Sequence, residues 1–204
     1  MIFDEDLLNS IKGFLDKEEG EHLYQSALKA SVLGPCLEIG SYCGKSSVYL
    51  GEACRINNQV LYSIDHHRGS EEQQPGEEYF DPDLFDYRAF RMNTLQFFRS
   101  TIERAGLEDT VIPIVCASKT ASISWATPLG LVFIDGGHSF ETASADYNSW
   151  AGHIVKGGLL LIHDIFKNPE EGGQAPYMVY KNALESGLFQ ELSMVKTLGV
   201  LQRI

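Results

Sequence analysis

Long apolar runs are missing from this 204-residue sequence. None approaches the roughly 20 residues that a bilayer-crossing helix needs, so a membrane protein of that kind is excluded. Positive charge is also scarce: 16 Lys and Arg stand against 28 Asp and Glu, a net charge of -12. A nucleic-acid surface needs clustered cations to displace counterions. No nucleic acid is therefore expected as a partner, and a small, neutral or metal-bridged substrate suits the balance better than a polyanion. Cysteine is sparse too. The four present (Cys36, Cys43, Cys54 and Cys116) show no CxxC spacing, and Cys36 and Cys116 sit inside apolar runs. That pattern offers neither a zinc ribbon nor a disulfide framework, and it fits a reduced, cytoplasmic setting. The opening stretch, MIFDEDLLNSIKGFLDKEEG, has no basic start and no small-residue cleavage site, so it reads as structure and not as a secretory signal. No internal repeat, low-complexity tract or linker divides the chain, and residues 1–204 are expected to form a single domain.

What is present is an alternation of short apolar strands with helices. Helices are expected at about 5–16 and 21–32, within an N-terminal helical region 1–33. CLEIG (36–40) reads as a buried strand and 44–55 as a helix. QVLYSID (59–65) is a second strand, followed by the long acidic segment 66–90. A helix at 91–105 precedes VIPIVCA (111–117) and GLVFIDG (130–136), the third and fourth strands. A helix at 140–153, the strand GGLLLIHD (157–164) and a helix at 176–186 follow. LFQELSMVK and LGVLQRI close the chain as two strands. Continuous apolar strands separated by helices imply an α/β, doubly wound, mostly parallel sheet covered on both faces. Such sheets bind ligands beyond the carboxyl ends of their strands. Polar residues stand there in number: Glu38, Asp65, Ser118, Asp135, His163 and Asp164.

The turn LEIGSYCGKSS (37–47) narrows the ligand. A triphosphate loop needs four residues between its glycines, and GSYCGKS has three. A dinucleotide fingerprint needs a middle glycine for close approach to a pyrophosphate, and Tyr42 stands in its place. Glu38 would add negative charge beside the phosphates. S-adenosylmethionine carries a sulfonium and an ammonium and no phosphate, so Glu38 suits the ammonium, directly or through water, and Gly40 and Gly44 let the chain pass close beneath the methionine portion. Asp65, 21 residues after Gly44, is placed to accept ribose hydroxyls. An NAD(P)-binding oxidoreductase and a catalytically inactive S-adenosylmethionine-binding protein stay open as alternatives. So does a plain strand–turn–helix with a capping acid.

LEIGSYCGKSS and the order of elements resemble the class I S-adenosylmethionine-dependent methyltransferases, closest to the metal-assisted catechol O-methyltransferase branch. The likeness runs from about residue 25 to 167. It implies a seven-stranded Rossmann-like sheet with an antiparallel C-terminal hairpin, and O-methylation of a small-molecule hydroxyl. It also implies cofactor contacts: Gly40, Tyr42 and Ser46 on the methionine side, Asp65 at the ribose, and His66, Ala117 and Ser118 around the adenine. In FIDGGH (133–138) and LIHD (161–164), the matching family positions hold magnesium through acids after strands four and five. Here Asp135, His163 and Asp164 fall there, and Asp135 also faces the cofactor and the chemistry. The histidine tilts the donor set from magnesium toward manganese or another divalent ion. His138 stands where the family carries its lysine base, and it is expected to remove the acceptor's proton. The 66–90 segment is an insertion relative to catechol-type enzymes. It reads as an active-site lid or an oligomer contact, which leaves a homodimer open.

Overall fold

The computed structural model describes residues 3–137 and 139–204. Seven strands form one sheet: β1 (Cys36–Ile39), β2 (Leu61–Ile64), β5 (Val111–Ile114), β6 (Leu129–Ile134), β7 (Ile154–Ile162), β8 (Phe189–Val195) and β9 (Leu198–Arg203). Their order across the sheet is β5-β2-β1-β6-β7-β9-β8. The first five are parallel, and β9 pairs antiparallel with both β7 and β8. A separate two-stranded ribbon joins β3 (Phe85–Asp86) to β4 (Arg91–Met92). The expected α/β sheet with its antiparallel C-terminal hairpin is the one observed.

Alternation along each strand divides the core in two. Cys36, Leu131, Phe133, Leu159 and Leu161 face one layer of helices, α2 (Lys17–Ala30), α3 (Lys45–Ile56) and α4 (Leu95–Ala105). Leu37, Ile39, Val132, Ile134 and Leu160 face the other, built mainly from α6 (Phe140–Trp150) and α7 (Ala175–Glu185). Such burial on both faces is why these strands read as unbroken apolar runs. Trp150 is fully buried there, against Trp125 at 5.0 Å between ring centres. All four cysteines are free thiols. Among the described residues no helix is long and apolar enough to cross a membrane.

Two expected helices are shorter than their sequence pattern. The first, α1, spans only Glu5–Ser10. Its pattern ran on to 16, but Gly13 takes φ 157° and residues 11–16 cross the sheet's end as a loop. The helix expected from 91 begins at Leu95, because Arg91 and Met92 are spent in the ribbon with Phe85 and Asp86. The acidic 66–90 segment also holds two short 3-10 turns, Glu71–Gln73 and Pro82–Leu84. A short helix, α5 (Ser118–Ala121), follows β5 where strand was expected to 117.

Candidate active site

Parallel pairing brings the strand ends to one level. Ile39 pairs with Ile64 and Ile134, and Ile134 with Ile162. The next residue of each strand is Gly40, Asp65, Asp135 and His163, and the amides of Gly40, Asp135 and His163 still bond to neighbouring strand carbonyls at 2.9–3.1 Å. The order reverses at β1, with β2 on one side and β6 on the other. Beyond this switch point lies a cavity of about 950 Å³. Gly40, Tyr42, Ser46, Asp65, His66, Ala117, Ser118, Asp135, His163 and Asp164 all line it.

The loop after β1 can take its path only with glycine at 40. There φ is 89°, and a Cβ would stand 2.0 Å from the Asp135 carbonyl oxygen. Gly44, at φ 91°, opens α3 as its N-cap without lining the cavity. Its backbone amide bonds to the Ser41 carbonyl at 2.7 Å. Tyr42, at φ 47°, donates its amide to Asp65 Oδ2 at 2.8 Å, and the His67 amide donates to Oδ1 at 2.6 Å. These two bonds fix the Asp65 carboxylate at the cavity wall and leave it lone pairs to accept further donors.

Glu38 departs from expectation. It is fully buried and does not line the cavity. As the third residue of β1 it shares Cys36's face, not the strand's open end. Ser46 donates to Oε2 at 2.9 Å, Ser63 to Oε1 at 2.6 Å, and Ser47 also donates to Oε1. Burial pushes this carboxyl up to about 7 against the pull of the three hydroxyls. Glu38 therefore anchors α3 to β1 and β2 beneath the loop and does not itself reach the cavity. Ser46 reaches the cavity wall while bound to it. Ser41 is a site residue that sequence reasoning missed: its hydroxyl is buried, lines the cavity and has no hydrogen-bond partner among the described residues.

The residues expected around an adenine differ in detail as well. Ser118 Oγ accepts the Trp150 indole N–H at 2.8 Å, so its hydroxyl is partly committed to the core. Asp146 stands beside it in the cavity wall, 4% exposed, and burial pushes its carboxyl up to about 6. The signal for Asp146 was present: on α6 it falls on the buried stripe with Ala143 and Trp150. His66 is exposed and its Nδ1 accepts the Arg68 amide at 3.0 Å. His67 is buried against Thr94, with Nδ1 and Oγ1 2.8 Å apart.

Asp135, His163 and Asp164 gather as the sequence expected, with ligand atoms all within 4.8 Å of one another. His163 Nδ1 lies 3.0 Å from Asp135 Oδ1 and 3.4 Å from Asp164 Oδ2. Its Nε2 lies 3.0 Å from Glu19 Oε2, a partner on α2 that no sequence signal marked. Burial alone would push the imidazole down, but Asp135, with Asp164 and Glu19, outweighs it and holds the ring well above the ordinary histidine value. Two carboxylates and one imidazole suit a divalent ion, and the nitrogen favours manganese, iron, cobalt, nickel or zinc over magnesium. His138 lies outside the described residues.

Two further segments close over the cavity. Residues 12–15 and parts of 69–79 line it. Lys12 joins them through Asp81 at 2.5 Å and Asp83 at 2.8 Å. The Phe14 ring contacts Tyr79 at 5.2 Å and Tyr42 at 5.9 Å. The rim is acidic on balance: Glu71, Glu72, Glu77, Glu78, Glu141 and Glu171 line the cavity, against Lys12, Lys45 and Lys119.

Comparison with known proteins agrees with this architecture. A family model described as a methyltransferase domain matches residues 37–165. Among solved structures, the O-methyltransferase NovP is similar with a TM-score of 0.67 at 14% identity, over 91% of this chain and 78% of that one. An O-methyltransferase from Bacillus cereus in complex with SAH has a TM-score of 0.65 at 14% identity, over 98% and 90% of the two chains. The O-methyltransferase TomG from Streptomyces achromogenes, involved in tomaymycin synthesis and solved with SAM, has a TM-score of 0.63 at 15% identity, over 93% and 81%.

Proposed function

Because the chain belongs to the methyltransferase-domain family, we propose that it transfers a methyl group from S-adenosylmethionine to the hydroxyl of a small molecule, assisted by a divalent ion. The observation that carries this reading is the shared wall of the cavity. Gly40, Asp65 and Asp135 open onto one space at the switch point, where Tyr42 replaces the glycine that a pyrophosphate needs. Solved neighbours carry the same fold with SAM or SAH bound.

S-adenosylmethionine, when bound, supplies an electrophilic sulfonium methyl, and a divalent ion would lower the pKa of an acceptor hydroxyl. The remaining work belongs to the chain. Asp65 accepts the ribose hydroxyls, its orientation set by the amides of Tyr42 and His67. The glycine turn and the first turn of α3 receive the methionine end, where free amides and the helix dipole favour a carboxylate. Ser41 offers its unpartnered hydroxyl beside them. Ala117 and Ser118 border the adenine, with the Asp146 carboxyl within the same wall. Asp135, His163 and Asp164 would hold the ion. His138 is assigned the acceptor's proton on its sequence position alone. Closure by residues 12–15 and 69–79 excludes water and sets the acceptor against the cofactor.

The acidic rim bears on the acceptor's class. Three lysines, Lys12, Lys45 and Lys119, line the cavity against six glutamates, and Lys12 is bound to Asp81 and Asp83. An anionic acceptor such as a coenzyme A thioester meets repulsion at the mouth, while a neutral or cationic hydroxyl compound does not. Calorimetric titration of S-adenosylmethionine and of NAD(P)H, followed by methyl transfer to a panel of small hydroxyl compounds with and without chelator, tests the reading. Binding of S-adenosylmethionine with chelator-sensitive transfer is expected. Binding of NAD(P)H alone would overturn it, and cofactor binding with no transfer to any acceptor would leave a binding protein instead of an enzyme.

A further inference from the structure

His163 is held from both sides, and one side comes from far away in the chain. Glu19 lies on α2, outside the family-matched span 37–165. It is 3% exposed, an unusual depth for a carboxylate. Both of its oxygens are engaged: Oε1 accepts the Thr197 amide at 2.8 Å and the Thr197 hydroxyl at 2.7 Å, and Oε2 faces His163 Nε2 at 3.0 Å. A carboxylate has only lone pairs to offer, so Nε2 donates to Glu19 and Nδ1 likewise donates to Asp135; an ion held by the two acids would take the place of the Nδ1 proton and leave Nε2–H on Glu19. The ring is thereby oriented with Nδ1 toward Asp135 and Asp164. Metal-binding histidines are commonly fixed in this way, through a carboxylate at the nitrogen that does not bind the ion.

We infer that Glu19 is a positioning residue which commits His163 Nε2–H and aims Nδ1 at the two acids, making the ion site a mixed nitrogen–oxygen centre. This rests on the divalent-ion part of the proposed function and extends it. Glu19 itself touches neither ion nor substrate. A centre with an imidazole so aimed takes cobalt, manganese or zinc in preference to magnesium, whereas a ring turned to present Nδ1–H would leave only the two carboxylates.

Glu19→Gln separates orientation from packing. It keeps the side chain's volume, and its amide oxygen can still accept from Thr197. Its NH₂ now faces Nε2 as a donor, which favours the opposite tautomer. Cobalt titrated into the chelated, full-length protein and followed by visible absorption reads the site without turnover. Glu19→Gln is expected to weaken cobalt binding about 10- to 100-fold, the usual loss for an outer partner of a ligating histidine. Thr197→Val, which loses only the hydroxyl contact with Glu19, should stay within about twofold of wild type by the same reasoning. Unchanged cobalt affinity in Glu19→Gln, or no cobalt binding by the wild type, would overturn the inference. Should Glu19→Gln fail to fold, long-range ¹H–¹⁵N spectra of the zinc-loaded wild type decide: a protonated Nε2 and a zinc-bound Nδ1 support it, and the reverse tautomer refutes it. Titration with S-adenosylmethionine on the same samples keeps the two readings apart. Loss of cofactor binding counts against the proposed function, whereas the cobalt and nitrogen signals report on Glu19.

Discussion

Replacing Glu38 with glutamine gives a sharp test of the electrostatics beneath the site. The wild-type carboxyl is fully buried, and its value rises from the ordinary 4.5 to about 7, because burial outweighs the donors Ser47, Ser63 and Ser46 and the charge of Asp135 adds to it. The sign follows from where the proton sits. Between pH 4.5 and 7 the folded chain keeps a proton that the unfolded chain has released, so stability is highest below 4.5 and falls as pH rises to 7. At about 1.4 kcal/mol for each pH unit, the loss over that window is about 3 kcal/mol. Glutamine cannot ionise and escapes the loss. It starts at a disadvantage of about 1 kcal/mol, because its NH₂ must find acceptors among hydroxyls that now donate. Urea denaturation followed by the fluorescence of Trp125 and Trp150, at intervals from pH 5 to 8, yields the difference between the two proteins at each pH. Other titrating groups, including Asp146, are common to both and cancel. Glu38→Gln should be the weaker protein at pH 5 and the stronger by about 2 kcal/mol at pH 8. A difference independent of pH, or a wild type that gains on Glu38→Gln as pH rises, would show that the three hydroxyls hold the carboxylate ionised and that the ranking of effects is wrong.

Gly40→Ala should cost at least about 3 kcal/mol, the sum of left-handed strain and overpacking, since its Cβ would meet the Asp135 carbonyl at 2.0 Å; an unshifted denaturation midpoint would contradict that geometry. Asp65→Asn should weaken S-adenosylmethionine binding about 10- to 100-fold by calorimetry, the loss of charge-assisted hydrogen bonds worth about 1.5–3 kcal/mol. An unchanged affinity would remove Asp65 from the ribose. For matched acceptors differing only in charge, the KM of an anionic one should fall as salt rises from about 0.02 to 0.3 M, because screening shortens the reach of the six rim glutamates. Equal salt responses for the anion and its neutral counterpart would show that the rim does not meet the acceptor.

β6 and the end of β7 were legible because burial on both faces writes itself as unbroken apolar runs, whereas β1 and β2 carry Glu38 and Ser63 within theirs and the edge strand β5 exposes Ile112 and Pro113. Asp65, Asp135, His163 and Asp164 were legible because polar residues following such runs must emerge at the sheet's end. Glu38 does not emerge with them. It lies inside the strand, where alternation sends it under α3, and only the register that sets Ser63 opposite it shows why an acid can stay there. The stop at Ser10 was hidden because apolar spacing continues past it, through Leu15, into a loop that covers the cavity. Glu19 was beyond sequence reasoning: 144 residues separate it from His163, and on a helix rich in acids it looks like one more solvated carboxylate.

That pairing has a consequence for how the enzyme is delimited. A fragment cut to residues 37–165 would keep both acids and the histidine, yet it would lose α2 and the turn at Thr197 that steady the ring. The grip on one key part of the vessel is thus supplied by chain that flanks the matched span. Swapping those flanks between relatives is a route to retuning the centre without altering any residue in it.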